Sequence, residues 1–115
     1  MPETLTIPQT REGAQALHDR LVAMGNVAVG FDENQCVSEG LAAVDVVLTR
    51  LDEEDMASRN GQMQAVATDD IKDAVKKLST LKDELCSIAS RVEALSDFAG
   101  ALDSVLGGVK SIFAM

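Results

Sequence analysis

The sequence lacks tryptophan and tyrosine, and its 115 residues include only three phenylalanines. Proteins use aromatic side chains to stack against nucleobases and to anchor many ligands, so we expect no single-stranded nucleic-acid platform here. Proline is also scarce, because both prolines lie before residue 9. The strongest helix breaker is therefore missing from the rest of the chain, and this composition predicts an all-α protein.

Positive charge is in short supply as well. Ten lysines and arginines face nineteen acidic residues, which gives a formal net charge of −9. Residues 32–58 hold eight acidic residues and one arginine, so much of the acidity is local. Binding to nucleic acids or anionic lipids depends on clustered Lys and Arg. We therefore expect no nucleic-acid partner, do not favour a membrane partner, and expect either a basic partner or none.

Side chains typical of catalytic and metal sites are few. His18 is the only histidine and is followed by Asp19, but no nucleophile accompanies it by spacing. The acidic run Asp52–Asp55 lacks the glycine and alternating oxygens of a calcium loop, so we interpret it as a solvated charge run that can steer a basic partner. The sequence thus predicts a protein that is not an enzyme, with no cofactor, no metal and no small-molecule substrate.

Cys36 and Cys86 lie far apart, with no Cys-x-x-Cys motif and no neighbouring histidine. This spacing supports neither a zinc site nor a disulfide framework, so we predict two free thiols. No apolar stretch approaches the ~18 residues that span a bilayer, and no signal-peptide pattern is present. The expected location is therefore the cytoplasm, with non-classical secretion as an open alternative.

Apolar residues from Ile71 to Phe113 recur in alternating steps of three and four. This spacing keeps one stripe of a helix against a partner and is typical of coiled coils. It predicts one continuous helix over about 68–113. Thr68 is the expected N-cap, and Asp69 carries the sign that the helix dipole favours in the first turn.

The same rhythm precedes the turn signal Asn60-Gly61 and predicts a helix over about 33–58. A further stripe predicts a helix over about 9–29, after an irregular segment 1–8. The break between these two helices is expected near residues 30–34. We expect this stripe to be buried. It consists of Ala14, Leu17, Leu21, Met24, Ala28 and Phe31.

These elements predict one all-α domain over residues 1–115. The favoured fold is a long antiparallel helical hairpin, coiled-coil-like and about 65 Å long at 1.5 Å per residue, which self-associates into a four-helix bundle. The alternative is a compact three-helix bundle, in which the segment before Gly30 folds across the other two helices.

Hydrophobic side chains also lie beside the main stripes, and these are the candidate interface residues. They are Phe98, Val105 and Ile112 on the C-terminal helix, and Val22 and Val29 on the first arm. Burying such side chains is worth about 1.5–3 kcal/mol each. We expect them to form a homodimer interface or a dock for another helical protein. The alternative is that they pack under a folded-back N-terminal helix.

The combined expectation is a non-catalytic adaptor or structural subunit, acidic and cytoplasmic, that works by protein–protein interaction. In outline the chain resembles the small secreted helical-hairpin proteins of bacterial specialised secretion systems, although "SRNGQM" stands where the WXG-type family has its Trp-x-Gly turn. This resemblance implies a secretion substrate or its chaperone as a second hypothesis. A third is binding to a lipid or granule surface through the amphipathic C-terminal third.

Overall fold

The computed structural model describes residues 7–59 and 68–113, and the regular secondary structure in those ranges is entirely helical. The four main helices are α1 (Ile7–Gly25), α2 (Gly30–Arg59), α3 (Asp69–Ala89) and α4 (Phe98–Ile112), with a short 3-10 helix at Glu93–Leu95. Helix α1 packs against α2 and α4, and α3 packs against the same two helices. The predicted all-α class is confirmed, and the described residues form four helices packed against one another in a bundle-like arrangement.

Neighbouring helices run in opposite directions where cross-helix contacts define them. Arg11 and His18 of α1 face Asp52 and Asp45 of α2, so moving forward along α1 means moving backward along α2. On its other side, α1 reaches α4 through Arg20, which binds Asp97 at 2.7 Å. The predicted turn at Asn60-Gly61 lies outside the described residues.

The link between α1 and α2 lies slightly earlier in the chain than predicted, at residues 26–29 rather than 30–34. Gly30 already begins α2 and has a φ of 80°, a left-handed conformation that L side chains rarely adopt. The carboxylate of Glu33 accepts a hydrogen bond from the Val29 N–H at 2.8 Å. Glu33 therefore caps the start of α2 through the Val29 N–H.

The single helix predicted over 68–113 is wrong. It begins as expected, with Thr68 at the N-cap, but α3 ends at Ala89. Val92 is extended, and Asp97 occupies the N-cap of α4. The molecule measures 46 × 29 × 19 Å, well short of the 65 Å hairpin. Leu95 remains buried within the 3-10 helix. The regular spacing of apolar residues therefore continues across the segment in which the α-helix is interrupted.

The hydrophobic core runs between all four helices. Its fully buried side chains include Leu17, Leu21, Met24, Val44, Leu51, Ile71, Leu78, Leu85, Ile88, Phe98, Leu102 and Phe113. The prediction that Phe31 belongs to the core is wrong, because this side chain is exposed to solvent at the start of α2. None of the described helices combines the length and apolar character needed to cross a membrane.

Cross-helix ion pairs join the helices around the outside of this core. Lys82 of α3 binds Asp103 of α4 at 2.7 Å, and Arg91, just after α3, binds Glu33 of α2 at 2.5 Å. Because these side chains are substantially exposed, each pair contributes only modestly to stability. Their main consequence is to fix how neighbouring helices are aligned.

The acidic run Asp52–Asp55 is divided between core and solvent. Glu54 is buried and has an oxygen 4.0 Å from Arg50 Nη2, whereas Asp52 is exposed and pairs with Arg11 of α1. The Arg50 guanidinium also lies 5.8 Å from the centre of the Phe113 ring. The run is therefore only partly a solvated surface, since it also ties the end of α2 to its neighbours.

Two glycines test the packing of the bundle. A Cβ on Gly40 would lie 3.4 Å from both Leu21 Cδ2 and Leu85 Cδ1, where α1, α2 and α3 meet. We expect Gly40→Leu to lower the free energy of unfolding by about 1–3 kcal/mol or more through overpacking. A Cβ on Gly107 would have no neighbour within 4 Å, so Gly107→Ala should raise the free energy of unfolding by about 0.5–1 kcal/mol. Urea unfolding measures both, and a neutral Gly40→Leu would contradict the packing.

Candidate interaction surface

Most of the predicted interface lies inside the molecule. Phe98 is 1% exposed and Val105 2%, and Ile112 is half-buried against the core. The prediction that these residues form an open interface is wrong, because the chain turns between α3 and α4 and lays this face on the bundle. The backbone of α1 covers Val105, since a Cβ on Gly13 would lie 3.4 Å from Val105 Cγ2. Packing under the N-terminal helix is the arrangement observed.

Three large hydrophobic side chains remain exposed around the link between α1 and α2. Val22 is 51% exposed, Val29 72% and Phe31 78%. We call these three residues the α1–α2 corner. Val22 and Val29 belong to the predicted interface, whereas Phe31 was assigned to the core. A signal for Phe31 was present, because it directly follows Gly30 and lies within the predicted break between two helices.

The backbone of the α1–α2 corner is held in place by Glu33. Its carboxylate accepts hydrogen bonds from Arg91 Nη1 at 2.6 Å and Nη2 at 2.5 Å, in addition to the one from Val29 N–H. The hydrogen bonds from Arg91, followed by that from Val29, lower the pKa of Glu33 to about 2. Val29 and Phe31 are therefore presented by a turn that is tied to the segment after α3.

An open groove of about 620 Å³ lies between α1 and α2, away from the α1–α2 corner. Its lining residues are Pro8, Arg11, Glu12, Gln15, Ala16, Asp19, Asp52 and Asp55. Arg11 pairs with Asp52 across the groove, and this carboxylate raises the pKa of the guanidinium. Four acidic residues thus accompany a single basic one, and the rim is net negative. We call this the acidic groove.

His18 lies on the contact between α1 and α2, between the acidic groove and the α1–α2 corner. Its Nε2 is 3.5 Å from a carboxylate oxygen of Asp45, and its Nδ1 is 3.7 Å from one of Asp19. The sequence predicted an inert histidine on a helix surface. In the structure, the His18 imidazole lies beside the carboxylates of Asp45 and Asp19, on the face that carries the acidic groove and the α1–α2 corner.

Both cysteines are free thiols, as predicted. Cys36 is buried in the core, and burial, followed by the hydrogen bond to Glu84, raises the pKa of its thiol to about 11. Burial also raises the pKa of Cys86, which is half-buried. At neutral pH both therefore remain protonated, the form that is poorly nucleophilic.

Among residues 7–59 and 68–113, no group of three His, Cys, Asp or Glu side chains is arranged to hold a metal ion. Neither a protein-family model, nor a curated protein, nor a solved structure matches this chain. Function is therefore inferred from the chemistry of the exposed surface.

The role of Glu33 predicts a specific pH dependence. Its folded pKa is lowered from 4.5 to about 2, so its stabilisation is complete above about pH 4.5 and is lost as the pH falls toward 2. We expect Glu33→Gln to lower the urea midpoint at pH 7, and the difference from the wild type to shrink below about pH 4.5. Glu93→Gln, at an exposed site, is the control. A constant difference from pH 7 to 3 would contradict the role of Glu33.

The two thiols should differ in reactivity. We expect iodoacetamide at about pH 8 to modify Cys86 slowly and Cys36 only when the protein unfolds, because Cys36 is more deeply buried and its pKa is near 11. Mass spectrometry of the wild type and of Cys86→Ser separates the two sites. Equal rates at Cys36 and Cys86 in the folded protein would show that the core around α2 opens readily.

Proposed function

We propose that this protein is a non-catalytic adaptor that binds another protein through the α1–α2 corner. The observation that carries this proposal is the exposure of Val22, Val29 and Phe31 in a chain whose other large core-forming side chains are mostly buried. Binding interfaces draw most of their energy from a few such side chains, which a partner removes from water. A full burial is worth about 1.5–3 kcal/mol for each residue.

The charge of the α1–α2 face, at a distance from the corner, indicates the chemistry of the partner. The acidic groove continues the α1–α2 face, and the whole chain has a net charge of −9. A segment with one or two apolar residues flanked by Lys or Arg complements both parts of this face. The carboxylates increase the rate of encounter with such a partner, and the apolar residues slow its release.

A second copy of this chain is the alternative occupant of the corner. Val22 and Val29 support it, since they are exposed candidate interface residues. Two copies that meet through this face bring their acidic grooves close together, and like charges oppose such contact, most strongly at low salt. A basic partner is therefore the better match, and the homodimer is the competing outcome of the experiments below.

The two other hypotheses lose the features that suggested them. The amphipathic face of α4, with Phe98 and Val105, is buried in the bundle and is not available to a lipid or granule surface. The resemblance to secreted helical hairpins was one of overall shape, whereas the described residues form four helices. An adaptor role needs neither of those features.

Removing the aromatic ring from the corner tests the proposal. We expect Phe31→Ser to abolish capture of a specific partner by the tagged protein from cells of the source organism. Stability should change by less than about 0.5 kcal/mol, because the ring is mostly in solvent. Met56→Ser is the matched control, since Met56 is also exposed on α2 but lies toward the other end of the helix.

The proposal requires a protein that the wild type and Met56→Ser both retain and that Phe31→Ser loses. That protein should also be released more readily at high salt, because the acidic groove contributes to its binding. Equal recovery by all three baits would overturn the proposed role of the corner. A wild-type dimer in light scattering that Phe31→Ser converts to a monomer would instead support self-association.

A further inference from the structure

A second groove lies between α2 and α3, on the flank of α2 that faces away from α1. It has a volume of about 360 Å³. The residues that line it follow one pattern on both helices, i, i+3, i+4 and i+7: Glu39, Ala42, Ala43 and Val46 on α2, and Asp70, Asp73, Ala74 and Lys77 on α3. This spacing marks one face of a helix over two turns, or about 10 Å. The groove therefore runs along two turns of both helices.

The floor of this groove is made of small apolar side chains. Ala42 is exposed, Ala43 and Ala74 are buried, and Val46 is partly buried against the core. Small residues allow the backbone of a docked helix to approach closely, and larger side chains on that helix fill the space above them. The groove is thus suited to the apolar stripe of an amphipathic helix, a common mode of peptide recognition.

Charged side chains form the rim and are arranged unequally. Lys77 lies 4.0 Å from Glu39, so these two charges offset each other across the groove at one end. Asp70 and Asp73 lie toward the other end, on α3. Asp70 also accepts hydrogen bonds from the Thr68 hydroxyl and the Ile71 N–H, while Asp73 is exposed. Glu39, Asp70 and Asp73 outnumber Lys77, so the rim is net negative.

We propose that the groove between α2 and α3 binds an amphipathic helix of another protein, with Lys or Arg next to its apolar stripe. Its apolar side chains pack on Ala42, Val46 and Ala74, and its cation lies near Asp73. This surface is separate from the α1–α2 corner because α1 and α3 flank α2 on different sides. The protein then has two docking surfaces and can hold two partners at once.

Two synthetic peptides of about 14 residues test the groove. One carries Leu in a helical stripe flanked by Lys, and the other has Glu in place of each Lys. In methyl-detected NMR titrations of the full chain, the Lys peptide should shift the signals of Ala42, Val46 and Ala74. The Glu peptide should leave them unchanged.

Matched charge reversals on α3 separate a local contact from general attraction. Asp73→Lys should weaken binding of the Lys peptide by about three- to tenfold, in line with the loss of one exposed ion pair and its replacement by repulsion. Asp83→Lys makes the same change of net charge at an exposed site outside the groove and should alter the affinity by less than about twofold. Phe31→Ser should leave this binding unchanged.

The proposal fails if the Lys peptide shifts only signals outside the groove, or if Asp73→Lys and Asp83→Lys weaken binding equally. It also fails if both peptides bind alike. Shifts at Ala42, Val46 and Ala74 that depend on protein concentration, without peptide, would show that a second copy of this chain occupies the groove. Loss of peptide binding in Phe31→Ser would place the contact at the corner instead.

Discussion

The bundle depends on covering the apolar face of α4. Phe98, Leu102 and Val105 could not remain in water without a large cost, and the chain covers them by turning back after α3. The turn brings α4 against both α1 and α3, so the ring of four helices closes within one chain. A closed ring removes the largest hydrophobic surface that the sequence offers to a partner. Among the residues that the structure describes, the large hydrophobic side chains left exposed are therefore few and confined to particular places.

Periodicity was a good guide to what is buried and a poor guide to where helices end. Thr68 begins α3 as predicted, and most residues of the apolar stripes lie in the core. The break after Ala89 was missed because Leu95 stays buried in a 3-10 helix and so preserves the spacing. Asp97 just before an apolar run was a usable N-cap signal. Phe31 was wrongly assigned to the core, because the spacing of an apolar stripe does not show whether its last residue packs against a neighbouring helix.

The candidate surface was harder to foresee because it depends on contacts between distant residues. Glu33 and Arg91 are separated by 58 positions, and nothing in the spacing of either residue indicates that they meet. Their contact nevertheless holds the turn that presents Val29 and Phe31. Val22 and Val29 lie off the apolar stripe in the sequence, and both are exposed in the structure. The sequence could not separate them from Phe98 and Val105, whose burial follows from the turn between α3 and α4.

The concentration of acidic residues over 32–58 has a structural counterpart, since the whole of that segment lies within α2. Asp52 and Asp55 face the groove shared with α1, whereas Glu39 faces the groove shared with α3. One acidic helix therefore supplies negative charge to both of its flanks. Long-range attraction brings basic segments toward α2, and short-range packing then selects among them. In the proposed adaptor, the same charged helix thus serves both docking surfaces, while their different apolar shapes keep the two partners distinct.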